Sequence, residues 1–170
     1  MMKSVHPIKR WLRHAWSHPR HVSALFPPDS LKHIEHAIAQ SEGHHAGEIR
    51  VVIESGLPSY AILKGLSPRR RAMHLFGHFN IWDTEHNNGV LIYLLLADHD
   101  VEIVADRGIH KQVGEAGWQQ ICQHMEGMFR SGQFESGVVY GIQAIGEQLA
   151  KHFPPEAVSR NELSNRVLIL

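Results

Sequence analysis

Cysteine is nearly missing from this chain: Cys122 is the only one in 170 residues. A single cysteine excludes an intrachain disulfide and fits a reducing compartment. Long apolar runs are missing too. The longest, residues 89–97, is about half of the ~20 residues a membrane-spanning helix needs. The N-terminus lacks the apolar core and small-residue cleavage site of a secretion signal, so a cytoplasmic location is expected. Acid is absent before Asp29, while Lys3, Lys9, Arg10, Arg13 and Arg20 bring +5 to that segment. The whole chain is neutral, so the remainder carries −5. Overall neutrality argues against nucleic-acid binding, yet a basic arm on an acidic body suits an anionic surface. There is no Gly-x-x-x-x-Gly-Lys loop, no Gly-x-Gly-x-x-Gly after a strand, no Cys-x-x-Cys and no Gly-x-Ser-x-Gly elbow. Nucleotide triphosphatase, dinucleotide dehydrogenase, zinc ribbon and α/β-hydrolase readings therefore lose support.

What is present describes an ordinary globular domain, with 43% apolar and 20% charged residues. The length fits one core plus tails. Fifteen histidines are many, but they are scattered and read as singles. Residues 1–28 form a basic arm in which Ile8, Trp11, Leu12, Ala15 and Trp16 keep helical spacing. Such a segment either lies on an anionic membrane or packs on the domain or a neighbouring subunit, and Pro7 and Pro19 near its ends favour packing.

The domain itself is expected over 29–153. Asp29 or Ser30 should cap a helix reaching Glu42, with Leu31, Ile34 and Ile38 on one stripe. Strand one is Ile49–Ile53. A loop with Gly56, Pro58 and Gly65 leads to a helix that starts at Ser67-Pro68 and buries Ala72, Leu75, Phe76 and Phe79. Strand two, Gly89–Leu96, is apolar without alternation, which requires cover on both faces. Ala97–Asp100 links it to strand three, Val101–Ala105, in an antiparallel hairpin. Strands one and two are separated by a helix and should run parallel. A helical pair follows, with stripes Trp118, Ile121, Cys122, Met125, Phe129 and Val138, Ile142, Ile145, Leu149, divided at Ser131-Gly132. The tail, 154–170, begins Pro-Pro and ends Val-Leu-Ile-Leu. The expected class is α/β: a three-layer helix–sheet–helix domain with a small mixed sheet.

Several landmarks recur in a fixed order: Gly47-Glu48-Ile49, Asn88-Gly89-Val90-Leu91, Val101 to Gly108, and Phe129-Arg130-Ser131-Gly132-Gln133-Phe134 with Gly137. Over roughly 30–153 the chain resembles the TPM-domain family, the small α/β domain of thylakoid-lumen photosystem II repair proteins and of many bacterial proteins. The resemblance implies the layered fold and a divalent-cation site of calcium type, and an acid-phosphatase activity has been attributed to a plant member. Many relatives carry a signal peptide and membrane anchor, and neither is recognised here. The chain departs from the pattern where Asn87, Val104 and His110 replace three carboxylates. Calcium favours carboxylate oxygens, so the losses weaken a calcium site, and the added imidazole leans toward zinc.

Strand direction brings Glu48, Asp83, Glu85, Asn87, Asp106, Arg107 and His110 to one sheet edge, while Glu54, Asp98 and Asp100 lie at the other. A helix starting near Gly114 would aim its amides at the first edge and favour an anion. In the enzymatic reading, Glu48, Asp83, Asn87 and Asp106 supply metal ligands and Arg107 clamps a phosphate ester. His110 or Glu48 then acts as acid or base, with Asp83 beside them. In the non-enzymatic reading Asp83, Thr84 and Asn87 cap and turn the chain, Arg107 pairs with Asp83 or Glu48, and the protein is an accessory module. Its arm or tail would dock to a membrane protein or partner subunit. His74 and His78 stand four apart on their helix, with no third zinc ligand to name.

Overall fold

The computed structural model describes residues 7–17, 19–155 and 162–170. In chain order the elements are α1 (Pro7–Trp16), α2 (Pro19–Leu25), α3 (Pro28–Glu42), β1 (Glu48–Glu54), α4 (Ser59–Leu63) and α5 (Pro68–His78). They continue with β2 (Gly89–Leu95), β3 (Asp100–Ala105), α6 (Arg107–Arg130), α7 (Phe134–His152) and β4 (Leu168–Ile169). The sheet runs β3-β2-β1-β4, with β1 parallel to β2 and to β4, and β3 antiparallel to β2. The α/β class, the parallel pair and the hairpin are as expected.

Strand two shows no alternation because both of its faces are covered, and all seven of its residues are buried. On one side Val90, Ile92 and Leu94 join Ile49, Val51 and Ile53 under α3, α6 and α7. The helical stripe Val138, Ile142, Ile145 and Leu149 is fully buried there. On the other side Leu91, Tyr93 and Leu95 meet Val52, Val104, Ala61, Ile62, Ala72 and Leu75 under the thinner layer of α4 and α5.

The structure corrects the expected elements at several points. Neither Asp29 nor Ser30 caps α3. Its cap position is Pro27, without a side-chain bond, and Pro28 presets the first turn. The expected loop between Gly56 and Gly65 contains α4, which forms because Ala61 and Ile62 can be buried against the sheet. The hairpin link holds a 3₁₀ turn at Leu96–Asp98, closed by His99 in the left-handed region, and β3 starts one residue early at Asp100.

The helix expected near Gly114 begins instead at Arg107. Gly114 interrupts it at φ 73°, a conformation that costs glycine little and other residues more. Gly89, the first residue of β2, has a different constraint: a Cβ there would stand 2.0 Å from the Ile81 carbonyl oxygen. The sequence called for three strands, yet the tail supplies a fourth. Leu168 and Ile169 pair with Val52 and Ile53, and Leu170 N–H donates to the Ile53 carbonyl at 2.9 Å.

Candidate functional site

The strand register brings Glu48 beside Gly89 and Val90 beside Ala105, so the polar residues flanking β2 and β3 do share an edge with Glu48. Two of the carboxylates there bond backbone amides. Glu48 is buried, and its two carboxylate oxygens accept the amides of Glu162 at 2.9 Å and Leu163 at 3.2 Å. Burial pushes its carboxyl up, against those two hydrogen bonds. Asp106 caps α6, its Oδ1 accepting the Arg107 amide at 2.6 Å. This carboxylate stands where a bound anion would meet the helix amides. Among the described residues its Oδ2 is buried without a partner, as is Oδ1 of Asn88, whose Nδ2 donates to the Ala46 carbonyl at 2.9 Å.

The other residues of this edge are dispersed. Asp83, Glu85, Asn87 and Arg107 are exposed. Arg107 pairs with neither Asp83 nor Glu48 among the described residues, which corrects the expected strut. His110 accepts the Trp118 indole N–H at Nδ1, at 3.2 Å.

The donor set does not fit the cation that the sequence suggested. Calcium needs six to eight oxygens. Here each Glu48 oxygen already accepts an amide, and Asp83 and Asn87 face solvent. Among the described residues, no three His, Cys, Asp or Glu side chains are grouped to hold a metal. His74 and His78 are exposed on α5 and line a shallow cavity of about 660 Å³ with Arg71 and Leu170. No third ligand joins them among the described residues.

The opposite edge is more tightly organised than the sequence indicated. Asp98, in the hairpin turn, is the anchor of the arm. It accepts Arg10 Nη2 at 2.8 Å, Arg13 Nη2 at 3.0 Å and His14 Nε2 at 3.0 Å. His14 Nδ1 accepts the Leu57 amide at 2.8 Å, so the ring proton sits on Nε2 and is donated to Asp98. Arg10 also donates to the Leu66 carbonyl at 2.9 Å.

Beneath the thin layer, Glu54 is clasped by Tyr93 Oη at 2.6 Å and by Arg71 Nε and Nη2 at 2.9 and 2.8 Å. Its oxygens are satisfied, which marks a structural group. The residues were visible in the sequence, but nothing in their spacing paired Asp98 with residues 84 to 88 positions away.

Asp100 borders a cavity of about 450 Å³ together with Glu126, Leu96, Phe129 and Phe134. Burial, then the nearby carboxylates of Glu102, Glu126 and Asp98, push its carboxyl up to about 7, with Arg10 opposing. The stability it contributes is thus present below the ordinary carboxylate range and is lost as pH rises through about 7. We expect Asp100→Asn to raise the urea midpoint at pH 8 by the equivalent of roughly 1 kcal/mol and at pH 5 by about a third of that. A larger gain at pH 5 would contradict this assignment.

The anchor dictates what α1 shows outward. Arg10, Arg13 and His14 turn to the domain, and the apolar stripe of the same helix turns to solvent. Ile8 is 63% exposed and Trp16 82%, with Leu12 at 46% and Trp11 at 37%. Beside α1, α4 adds Tyr60 at 67% and Leu63 at 79%. An amphipathic helix of a globular protein ordinarily buries that stripe. The sequence identified the helix and offered packing as one outcome, but not which face would pack.

These features define a small layered α/β domain with a mixed sheet and an everted N-terminal helix. The TPM domain model matches residues 22–148, and the chain belongs to that family. It is similar to the BA42 protein of the psychrophilic bacterium Bizionia argentinensis, known from an NMR structure. Identity is 32%, over 83% of this chain and 92% of that one, with a TM-score of 0.73. It also shares its fold with the N-terminal domain of a P. gingivalis protein, at 19% identity over 91% and 99% of the two chains and a TM-score of 0.62. No curated protein matches the chain at a significant level. No helix among the described residues is long and apolar enough to cross a membrane.

Proposed function

We propose that this chain is a non-enzymatic TPM-domain module that docks to a partner at a membrane through the outward face of α1 and α4. The observation that carries this is the orientation of α1, held by its polar side and exposing Ile8, Trp11, Leu12 and Trp16. Apolar surface of that extent, clustered and rich in tryptophan, costs solubility unless something covers it. Family membership adds the scaffold, and Glu48 and Asp106 at the strand-start edge accept backbone amides.

The substitution pair Trp16→Ser/Leu63→Ser tests this. It should leave the unfolding free energy within ~0.5 kcal/mol, because neither side chain is in the core. It should weaken association with isolated native membranes, or self-association, by roughly tenfold or more. Unchanged association, or loss of the fold, would refute the module.

A second reading, hydrolysis of a phosphate ester, has one favourable observation: the unpartnered Oδ2 of Asp106 beside the exposed Arg107. It requires turnover above a blank that falls at least ~100-fold in Asp106→Asn, a change that preserves the helix cap. Activity at blank level, or activity indifferent to that change, removes it.

A further inference from the structure

We infer that the surface on which the α1–α4 face docks is an anionic lipid bilayer, with the tryptophans and leucines entering the headgroup region and lysines meeting the phosphates. This rests on the docking reading above and names its partner.

The first support is charge. The face is assembled from two segments, and both are without acid. None occurs before Asp29, and none occurs between Ser55 and Trp82. The acid-free stretches carry Lys9 and Lys64, both exposed on or directly after these helices, and Arg70 is exposed at the start of α5. Elsewhere the chain is acidic enough to bring the total to zero. Folding pairs Arg10 and Arg13 with Asp98, Arg69 with Glu102 and Arg71 with Glu54. The positive charge these segments still present is that of Lys9, Lys64 and Arg70, and an anionic plane would orient the molecule with them toward it.

The second support is side-chain chemistry. Trp11, Trp16 and Tyr60 have apolar bodies with one polar handle each, the type that settles at the bilayer–water boundary. Ile8, Leu12 and Leu63 supply the aliphatic part that enters the acyl boundary. A protein partner would need a matching apolar groove, whereas a bilayer accepts a convex helix face without one.

The third support is mechanical. Arg10, Arg13 and His14 fix α1 to the Asp98 turn, and Leu57 and Leu66 backbone groups hold the same side. The helix thus meets the membrane already folded and oriented. It avoids the ordering entropy that a disordered amphipathic peptide loses on binding.

Flotation of the full chain with protein-free vesicles tests the proposal, using phosphatidylcholine with and without phosphatidylglycerol. Binding is expected on the anionic vesicles, weaker by roughly tenfold on phosphatidylcholine alone and weakened again by raised salt. Trp16→Ser/Leu63→Ser should lower it at least tenfold. Lys9→Gln/Lys64→Gln should lower it on anionic vesicles only. Absence of binding to protein-free vesicles overturns the lipid assignment. If the Trp16/Leu63 pair still abolishes binding to native membranes or self-association, the docking reading stands with a protein partner. If the pair changes neither, both fall.

Discussion

Asp98→Ala is expected to release the N-terminal arm and to destabilise the protein by ~2–4 kcal/mol. The side chain is only 8% exposed and takes hydrogen bonds from Arg10, Arg13 and His14. Removing it leaves a buried imidazole N–H and Arg13 without that acceptor, and Arg10 with the Leu66 carbonyl alone. Arg10 and Arg13 can recover water if α1 lifts away, which limits the loss to what the docked arm contributes. Burial alone would raise the Asp98 carboxyl, but the hydrogen bonds of His14 and Arg10 override it and bring it down to about 2. A carboxyl lowered in this way stabilises the fold above its ordinary pKa, and the contribution disappears as pH falls through about 2. Urea denaturation at pH 7 should show the lower midpoint, and limited proteolysis should cut within residues 7–25 in the variant first. A midpoint equal to the parent's, with an uncut arm, would mean that Asp98 is not the anchor.

Glu54→Ala should be costlier still, at about 3–5 kcal/mol, because it breaks a buried ion pair by removing one member. Glu54 is almost fully buried and holds both Tyr93 and Arg71. Burial, and then the charge of Glu54, push the Tyr93 phenol well above its ordinary range, so it stays a donor throughout the working pH range. Its hydrogen bond to a charged acceptor accounts for part of the loss. Tyr93→Phe should therefore cost only ~1.5–3 kcal/mol. If Glu54→Ala costs no more than Tyr93→Phe, the Arg71 bond contributes nothing and the cluster has been misjudged.

The core of the fold was legible in local patterns. The unbroken apolar run from Gly89 required a doubly covered strand, and helical stripes such as Val138, Ile142, Ile145 and Leu149 required buried faces. Their positions matched because the periods are local properties of the chain. Strand direction then brought Glu48 and Asp106 to one edge, both beside Gly89. What they do there was not legible, because the amides that Glu48 accepts come from residues more than a hundred positions later.

The fourth strand was missed for a related reason. Val-Leu-Ile-Leu reads as strand or tail equally well until an acceptor edge on β1 is known. The arm shows the same limit. Its stripe of Ile8, Trp11, Leu12 and Trp16 normally predicts the buried face, but three polar donors found one buried carboxylate on the domain. That tertiary contact outweighed the ordinary preference and turned the stripe outward.

Quenching of tryptophan emission by lipids brominated on their acyl chains tests the docking face most directly. The wild-type chain would be compared with Trp11→Phe/Trp16→Phe, which keeps the face apolar while removing its indoles. Strong quenching of the wild type on phosphatidylglycerol-containing vesicles, largely lost in the double variant, is the result expected from an everted α1 entering the bilayer. Absence of quenching in the wild type, or equal quenching with Trp82 and Trp118 as the only remaining indoles, would contradict it.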